Sequence, residues 1–245
     1  MTYCVGMMLD AGLVMMSDTR TNAGLDNIST FTKMFHWEVP DERAISICTA
    51  GNLATTQAVV SLLDERTKAH DDRAPSLLTT PSMFPLARLV ADTLREVIAK
   101  QADTGQNADA FGATILLSGQ VDGGPPRLFL IYPEGNFIEA GPDTPFFQIG
   151  EIKYGRPILV RAYDPGLSFE EAIKLLLVSF DSTVKANLTV GAPFDFHVYP
   201  AGSLKLGVRG RIGADDPYFA TVSAGWGDAL KSALDSLPPF SFAPE

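Results

Sequence analysis

The chain has 245 residues, of which 46% are hydrophobic, and it carries a formal net charge of −10. This size and hydrophobic content predict one domain over residues 1–245 with a sizeable core. The acidic balance argues against a nucleic-acid partner and against an anionic membrane surface, because both attract basic patches. No segment reaches the length of a transmembrane span, and the N-terminus lacks the basic start and apolar run of a signal peptide. We therefore expect a cytoplasmic protein.

The first functional signal lies at the N-terminus, where Thr2 follows the initiator Met1. Removal of Met1 would leave a threonine that carries a hydroxyl and a free amine on one residue. The amine has an unperturbed pKa of about 7.7–8.0, so it can take the hydroxyl proton and make the oxygen a nucleophile. Such a nucleophile needs a nearby cation that lowers the pKa of the hydroxyl, and a carboxylate that holds the cation. Lys33 and Asp18 are the residues that we expect in these roles.

A hairpin explains how these groups could meet. The elements predicted in this region are a strand at 3–9, a turn at 10–12, a strand at 13–17, a polar loop at 22–32 and a strand at 33–39. Gly12 suits the turn, because glycine supplies the positive φ that tight turns often need. The hairpin returns Asp18 to the side of Thr2, and the third strand could bring Lys33 alongside.

The rest of the chain alternates between strand-like and helix-like patterns. Strands are predicted at residues 44–49, 111–118, 127–132, 136–140, 146–150, 194–199 and 203–209. Helices are predicted at 52–70, at 82–102, from 168 onward and, more weakly, at 215–239, with loops at 71–81 and 103–109 and a loose tail at 240–245. Ser168 and Glu171 form the S-x-x-E pattern of a capping box. This order of elements predicts an α+β fold.

Three separated runs carry a resemblance to a known family. They are SDTRTNAGLDNIST, TAGNLATTQAV and IGEIKYGRPIL, in that order along the chain. Together with the N-terminal Thr, the Gly-containing turn, the Asp-x-Arg segment and the later Lys, they resemble the N-terminal-nucleophile hydrolases of the proteasome β-subunit and HslV type. More narrowly, they resemble the bacterial Anbu group, whose members are called ancestral β-subunits.

The resemblance implies a fold and a set of site residues. The expected fold is a four-layer αββα sandwich of two antiparallel sheets between helical layers. The catalytic residues would be Thr2, Asp18 and Lys33, and the amide of Gly51 would help to form the oxyanion hole. The residues expected in the substrate cleft are Arg20, Thr21, Asn22 and Thr49. The implied activity is cleavage of peptide or amide bonds through an acyl-enzyme.

The resemblance also implies partners. The chain would assemble with itself into a ring or an open helical homo-oligomer, with its sites facing an enclosed space. Degradation of folded substrates would need a separate unfoldase, because nothing in this chain supplies ATP chemistry. We expect no cofactor, since the histidines lack the spacing of metal ligands and no phosphate-binding glycine motif is present. Cys4 and Cys48 lie in apolar runs and are expected to be buried free thiols.

The chain departs from the family around the nucleophile. The family's Gly-Ser-Gly loop corresponds to Ile149-Gly150-Glu151, and its Asp-x-x-Ser-Gly segment corresponds to residues 187–191, so Glu151, Asn187 and Thr189 would form an altered supporting shell. Two alternatives therefore stay open. The protein could be a self-assembling scaffold subunit with weak or no activity, or a hydrolase or transferase that acts on small amides.

Overall fold

A computed structural model describes residues 2–22, 28–68, 74–102 and 108–242 of the chain. The strands are β1 (Tyr3–Leu9), β2 (Gly12–Asp18), β3 (Arg20–Asn22), β4 (Ile28–Thr30), β5 (Met34–Val39), β6 (Arg43–Gly51), β7 (Ala113–Val121), β8 (Arg127–Ile131), β9 (Phe137–Glu139), β10 (Phe146–Gly150), β11 (Phe194–Pro200) and β12 (Val208–Ile212). The helices are α1 (Leu53–Thr67), α2 (Met83–Ala102), α3 (Arg156–Ala162), α4 (Phe169–Ala186) and α5 (Pro217–Asp235). Met1 and parts of the predicted helix 52–70, of the three predicted loops and of the tail 240–245 lie outside the described residues.

Two five-stranded sheets form the centre of the described structure. The first has the order β10-β1-β2-β11-β12 and the second the order β5-β6-β7-β8-β9, and the pairing within both is antiparallel. The predicted first hairpin is confirmed, with Leu9 opposite Gly12. Gly12 has φ +146°, and a Cβ there would lie 2.0 Å from the Tyr199 carbonyl oxygen, so only glycine fits where β11 passes.

Side chains alternate between the two faces of each sheet, which is the period of a strand. On β1, Val5 and Met7 point to the helical side while Cys4 points to the facing sheet. On β6, Ile47 points to α1 and α2, and Cys48 points to the first sheet. Three apolar layers result: helices on the second sheet, sheet on sheet, and the first sheet on α3, α4 and α5. This is the predicted four-layer αββα sandwich.

The structure confirms two local predictions from the sequence, the capping box and the two buried cysteines. The capping box is confirmed, since the Glu171 N–H donates to Ser168 Oγ at 3.2 Å and the Ser168 N–H donates to Glu171 Oε2 at 2.9 Å. Cys4 and Cys48 are buried and free, as predicted. None of the helices in the described ranges combines the length and the apolar content that crossing a bilayer requires.

Three assignments were wrong. The helix α3 was missed, because its 7 residues are too few to show a helical period. The last strand starts at Val208 rather than at residue 203, since the chain first turns through Gly202 (φ +76°) and Leu204 (φ +48°). Within the predicted loop at 22–32, Ile28–Thr30 is instead a strand that pairs with Arg20–Asn22. Polar side chains gave no pattern from which this ribbon could be recognised.

Candidate active site

Asp18 and Lys33 form a buried ion pair at the ends of two strands. Asp18 is the last residue of β2, and Lys33 directly precedes β5. The Lys33 Nζ donates to Asp18 Oδ1 at 2.7 Å and to the Arg20 carbonyl oxygen at 2.6 Å. The exposed fraction of the side chain is 5% for Lys33 and 0% for Asp18. The ammonium is therefore fixed in position by one carboxylate and one carbonyl.

Backbone amides hold the Asp18 carboxylate from the other side. The Tyr3 N–H donates to Oδ1 at 2.9 Å, and the Gly191 N–H donates to Oδ2 at 3.4 Å. Burial raises the pKa of Asp18 above its ordinary value, while Lys33 and these two amides act in the opposite direction. A Cβ at Gly191 would lie 2.4 Å from the Arg20 guanidinium carbon, so any larger residue there would require the Arg20 side chain to move. Tyr3 was not singled out from the sequence as a contributor to the site, and Gly191 was included only as the last residue of the segment 187–191.

Thr2 is held at the start of β1 by the chain that follows β10. The Glu151 N–H donates to the Thr2 carbonyl oxygen at 2.7 Å. Gly150 has φ +83°, and a Cβ there would lie only 1.9 Å from the same oxygen, so this contact requires glycine. Tyr3 anchors the next position, because its buried hydroxyl contacts Ser179 Oγ at 2.7 Å and accepts from Gln148 Nε2 at 2.6 Å.

Thr2 and Lys33 line the same cleft, which has a volume of about 380 Å3. The other residues that line it are Thr21, Thr32, Phe35, Thr49, Ala50, Gly51, Leu53, Thr56, Gln57 and Gly150. Asp18 lies behind Lys33 rather than in the wall of the cleft. Five of these residues were not expected from the sequence, because the segment around the start of β5 and the start of α1 meet only in the folded protein. They are Thr32, Phe35, Leu53, Thr56 and Gln57.

The predicted cleft residues occupy different places. Thr21 and Thr49 line the cleft. Arg20 does not: its guanidinium donates to the Leu188 carbonyl oxygen at 3.0 Å, and its own carbonyl oxygen accepts from Lys33. Asn22 lies in β3, opposite Ile28.

Gly51 ends β6 at the mouth of the cleft. Its φ is +114°, and a Cβ would lie 2.4 Å from the Gly112 carbonyl oxygen. The Thr49 N–H donates to the Lys33 carbonyl oxygen at 2.9 Å, and the Asn52 N–H donates to that of Gly112 at 3.0 Å. Because N–H groups alternate in direction along a strand, the Gly51 N–H points to the same side as that of Thr49. On that side β5, which begins at Met34, does not pair with Gly51, and Gly51 itself lines the cleft.

The three residues that we expected as an altered supporting shell form a connected network. The Asn187 Nδ2 donates to Glu151 Oε2 at 3.0 Å. The Thr189 hydroxyl and N–H both donate to Asn187 Oδ1, at 2.6 and 3.0 Å. The network joins the end of α4 to the residue whose N–H holds the Thr2 carbonyl. The Thr2 hydroxyl itself makes no hydrogen bond with any residue of the described ranges.

This layering, with Thr2 in the same cleft as Lys33 of a buried Lys–Asp pair, defines a proteasome-type subunit of the N-terminal-nucleophile hydrolase class. A family model described as proteasome subunit matches residues 2–198, and the chain belongs to that family. Among curated relatives, the chain is 23% identical over 206 residues to proteasome subunit beta type-10 of Rattus norvegicus, which covers 84% of this chain and 68% of that protein. It is 24% identical over 141 residues to the probable proteasome subunit alpha type-2 of Neurospora crassa; this match covers 57% of this chain and about half, 54%, of that protein's length.

Solved structures of Anbu proteins are much more similar. Anbu (ancestral beta-subunit) from Yersinia bercovieri is 46% identical with a TM-score of 0.91, over 98% of this chain and 100% of that one. The structure titled helical assembly of the Anbu complex, from Pseudomonas aeruginosa, is 46% identical with a TM-score of 0.93 over 100% of both chains. An Anbu (Gly-1) mutant from Hyphomicrobium sp. strain MC1 is 47% identical with a TM-score of 0.91, over 98% and 100%. The resemblance to the Anbu group is thereby confirmed.

Proposed function

We propose that the protein is an N-terminal threonine peptidase or amidohydrolase of the proteasome type, with Thr2 as its nucleophile once Met1 is removed. One observation carries the proposal: Thr2 lines a cleft together with Lys33, whose ammonium is fixed by Asp18 and the Arg20 carbonyl. A fixed cation beside a hydroxyl lowers the hydroxyl pKa, and a terminal amine on the same residue can act as its base.

The reaction proceeds by acyl transfer. The Thr2 hydroxyl gives its proton to the free amine, and its oxygen bonds to the substrate carbonyl carbon. The Gly51 amide donates to the oxygen that becomes negative. The C–N bond then breaks, the amine proton goes to the leaving nitrogen, and an ester joins the acyl group to Thr2. Water hydrolyses this ester; if a second amine attacks instead, the protein is a transferase.

The proposal includes self-assembly into an open helical or ring-shaped homo-oligomer. The support is the helical assembly named for the similar Anbu complex. Substrates reaching enclosed sites would be peptides, small amides or chains delivered by a separate unfoldase in the cytoplasm.

A second function, an inactive scaffold, is favoured by one observation. Lys33 bonds to Asp18 and Arg20, and the Thr2 hydroxyl has no hydrogen-bond partner in the described part of the chain. Under this function Thr2 would contribute to assembly or stability but not to chemistry.

The test begins with the intact mass of the protein purified from its own host, which shows whether Met1 is removed. The processed protein is then treated with a threonine-directed electrophile and with fluorogenic peptides and small amides. Thr2→Ala should abolish both labelling and turnover. Thr221→Ala removes an exposed hydroxyl whose hydrogen-bond partner in the described part of the chain is the Pro217 carbonyl of α5, and it should change neither. Assembly without labelling or turnover in the processed wild type would establish the scaffold instead.

A further inference from the structure

A second cavity lies where the two sheets part at their open edges. It has a volume of about 610 Å3, and its walls come from β5, β11 and the edge strand β12. The polar residues that line it are His36, Asp195, Arg209 and Arg211. We call it the edge cavity. None of its residues takes part in the reaction proposed above.

The charges of the edge cavity do not balance. Asp195 is occupied by Arg211, which donates from Nε to Oδ1 at 2.6 Å and from Nη2 to Oδ2 at 2.9 Å. Arg209 has no acidic side chain within ion-pair distance anywhere in the described ranges. Burial lowers the pKa of His36 to about 4, and the positive charge of Arg209 is the next largest cause of this lowering. One uncompensated cation therefore lines this cavity, on a chain whose net charge is −10.

Three polar groups beside the edge cavity form a chain: Ser46 and His197 are buried, and His36 is half-buried. The Ser46 hydroxyl lies 2.7 Å from His36 Nδ1 and 3.0 Å from His197 Nδ1, and so joins β6, β5 and β11 across the two sheets. His197 is 3% exposed, and its Nε2 has no partner among the described residues.

The hydrogen-bond partners allow the protons of this chain of groups to be assigned. The Ser46 hydroxyl has one proton and can donate to only one imidazole, so the other imidazole must donate to it. Among buried backbone groups, orphaned N–H donors are rarer than under-satisfied acceptors, and by the same preference we assign His197 the tautomer that leaves Nε2 without a proton. His197 therefore carries its proton on Nδ1 and donates to Ser46, which in turn donates to His36. The His36 ring is then protonated on Nε2, the edge turned away from Ser46.

From this arrangement we propose that the edge cavity binds a small oxyanion, a carboxylate or phosphate group, between the Arg209 guanidinium and the Nε2–H of His36. An arginine fork matches the geometry of both oxyanions, and a neutral imidazole N–H adds a directed donor. The volume lies within the range of small-molecule sites. The binding does not depend on the proposed peptidase activity, because no residue of the cleft contributes to it.

The edge cavity backs onto the active-site cleft. Thr32 lines the cleft, Met34 lines the edge cavity, and Lys33 lies between them in the chain. The Arg211 Nη2 also donates to the Thr32 hydroxyl at 3.5 Å. A bound anion would therefore lie on the opposite side of the segment that carries Lys33.

The test is isothermal titration calorimetry, which measures the affinity of the full-length protein for inorganic phosphate and, separately, for citrate at low ionic strength. Arg209→Gln should weaken binding tenfold or more. Lys205→Gln is the matched control: it removes the same charge four positions earlier, from a lysine paired with Asp41 outside the cavity, and should change affinity less than twofold. His36→Phe should weaken binding without changing charge. Because Arg209 is exposed, its variant should keep the wild-type melting temperature.

Binding of phosphate alone would assign the site to phosphate groups, and binding of citrate alone would assign it to carboxylates. The proposal is overturned if neither anion binds, or if the Arg209 and Lys205 variants weaken binding equally. Equal weakening would mean that the general positive charge of this edge attracts the anion and that no specific site binds it.

Discussion

The ammonium of Lys33 is held between Asp18 Oδ1 and the Arg20 carbonyl oxygen, at 2.7 and 2.6 Å. Arg20 belongs to the Asp-x-Arg segment that includes Asp18, so one short segment supplies both acceptors. The arrangement fixes a cation at the wall of the cleft without using any group of Thr2. It also makes the ion pair sensitive to the loss of either partner.

Asp18→Ala should destabilise the protein by about 3–5 kcal/mol, because it leaves the buried Lys33 charge without its carboxylate. It should also abolish turnover. The free energy of unfolding in urea measures the first effect. Asp228→Ala is the comparison, since it removes the partner of an exposed lysine, Lys231, and should cost no more than about 1 kcal/mol. Equal losses in the two variants would contradict a buried pair.

Gly150→Ala should cost more than Gly123→Ala. Both glycines have a positive φ, +83° at Gly150 and +78° at Gly123, so each substitution introduces a backbone strain of about 1–3 kcal/mol. Only at Gly150 does the new Cβ meet an atom, the Thr2 carbonyl oxygen, whereas nothing lies within 4 Å at Gly123. The difference in unfolding free energy between the two variants measures that contact. Turnover should be lost only in Gly150→Ala, and identical stabilities would show that the contact is absent.

Asn187→Ala should loosen the segment that holds Thr2. It removes the donor to Glu151 and the acceptor for Thr189, at a cost of about 1–3 kcal/mol. Since small displacements of catalytic groups are costly, kcat/KM should fall roughly tenfold or more. Asn136→Ala, in an exposed turn, is the control for both measurements. Unchanged kcat/KM in the Asn187 variant would remove this network from the site.

Stability should fall with acid because of the histidine pair between the sheets. Burial lowers the pKa of His36 to about 4 and that of His197 to about 3, and Arg209 adds to both effects. The unfolded chain takes up these protons near pH 6.5, so the neutral folded forms are favoured above that pH and lose their advantage as the pH falls toward the folded pKa values. Within this window each histidine contributes a slope of about 1.4 kcal/mol per pH unit.

The measurement is the urea unfolding free energy between pH 6 and 4.5 (roughly the window set by these pKa values). In His36→Gln the slope of the unfolding free energy against pH should be smaller than in the wild type by about the contribution of one histidine. This holds whatever the change in absolute stability. An unchanged slope would mean that His36 is protonated equally in both states.

The features that the sequence predicted best depend on residues close together in the chain. The hairpin at Gly12 and the capping box at Ser168 follow from residues close in the chain, and the hairpin was enough to place Asp18 near Thr2. The resemblance placed Gly150 in a loop around the nucleophile, but its contact with the Thr2 carbonyl could not be predicted, because that carbonyl is almost 150 positions away. The pairing of His197 with Ser46 was equally hidden, since it forms only when the two sheets face each other.

The first strand, β1, is hydrogen-bonded along both sides, to β10 and to β2. In most folds the chain can be cut and rejoined elsewhere if its old ends are linked. Here that freedom would be restricted for a chemical reason. If Thr2 acts as proposed, circular permutation that joins the old ends ahead of it would preserve the strand and its partners but would lock the Thr2 amine in a peptide bond. For a threonine that serves as its own base, the place where the chain begins is therefore part of the active site.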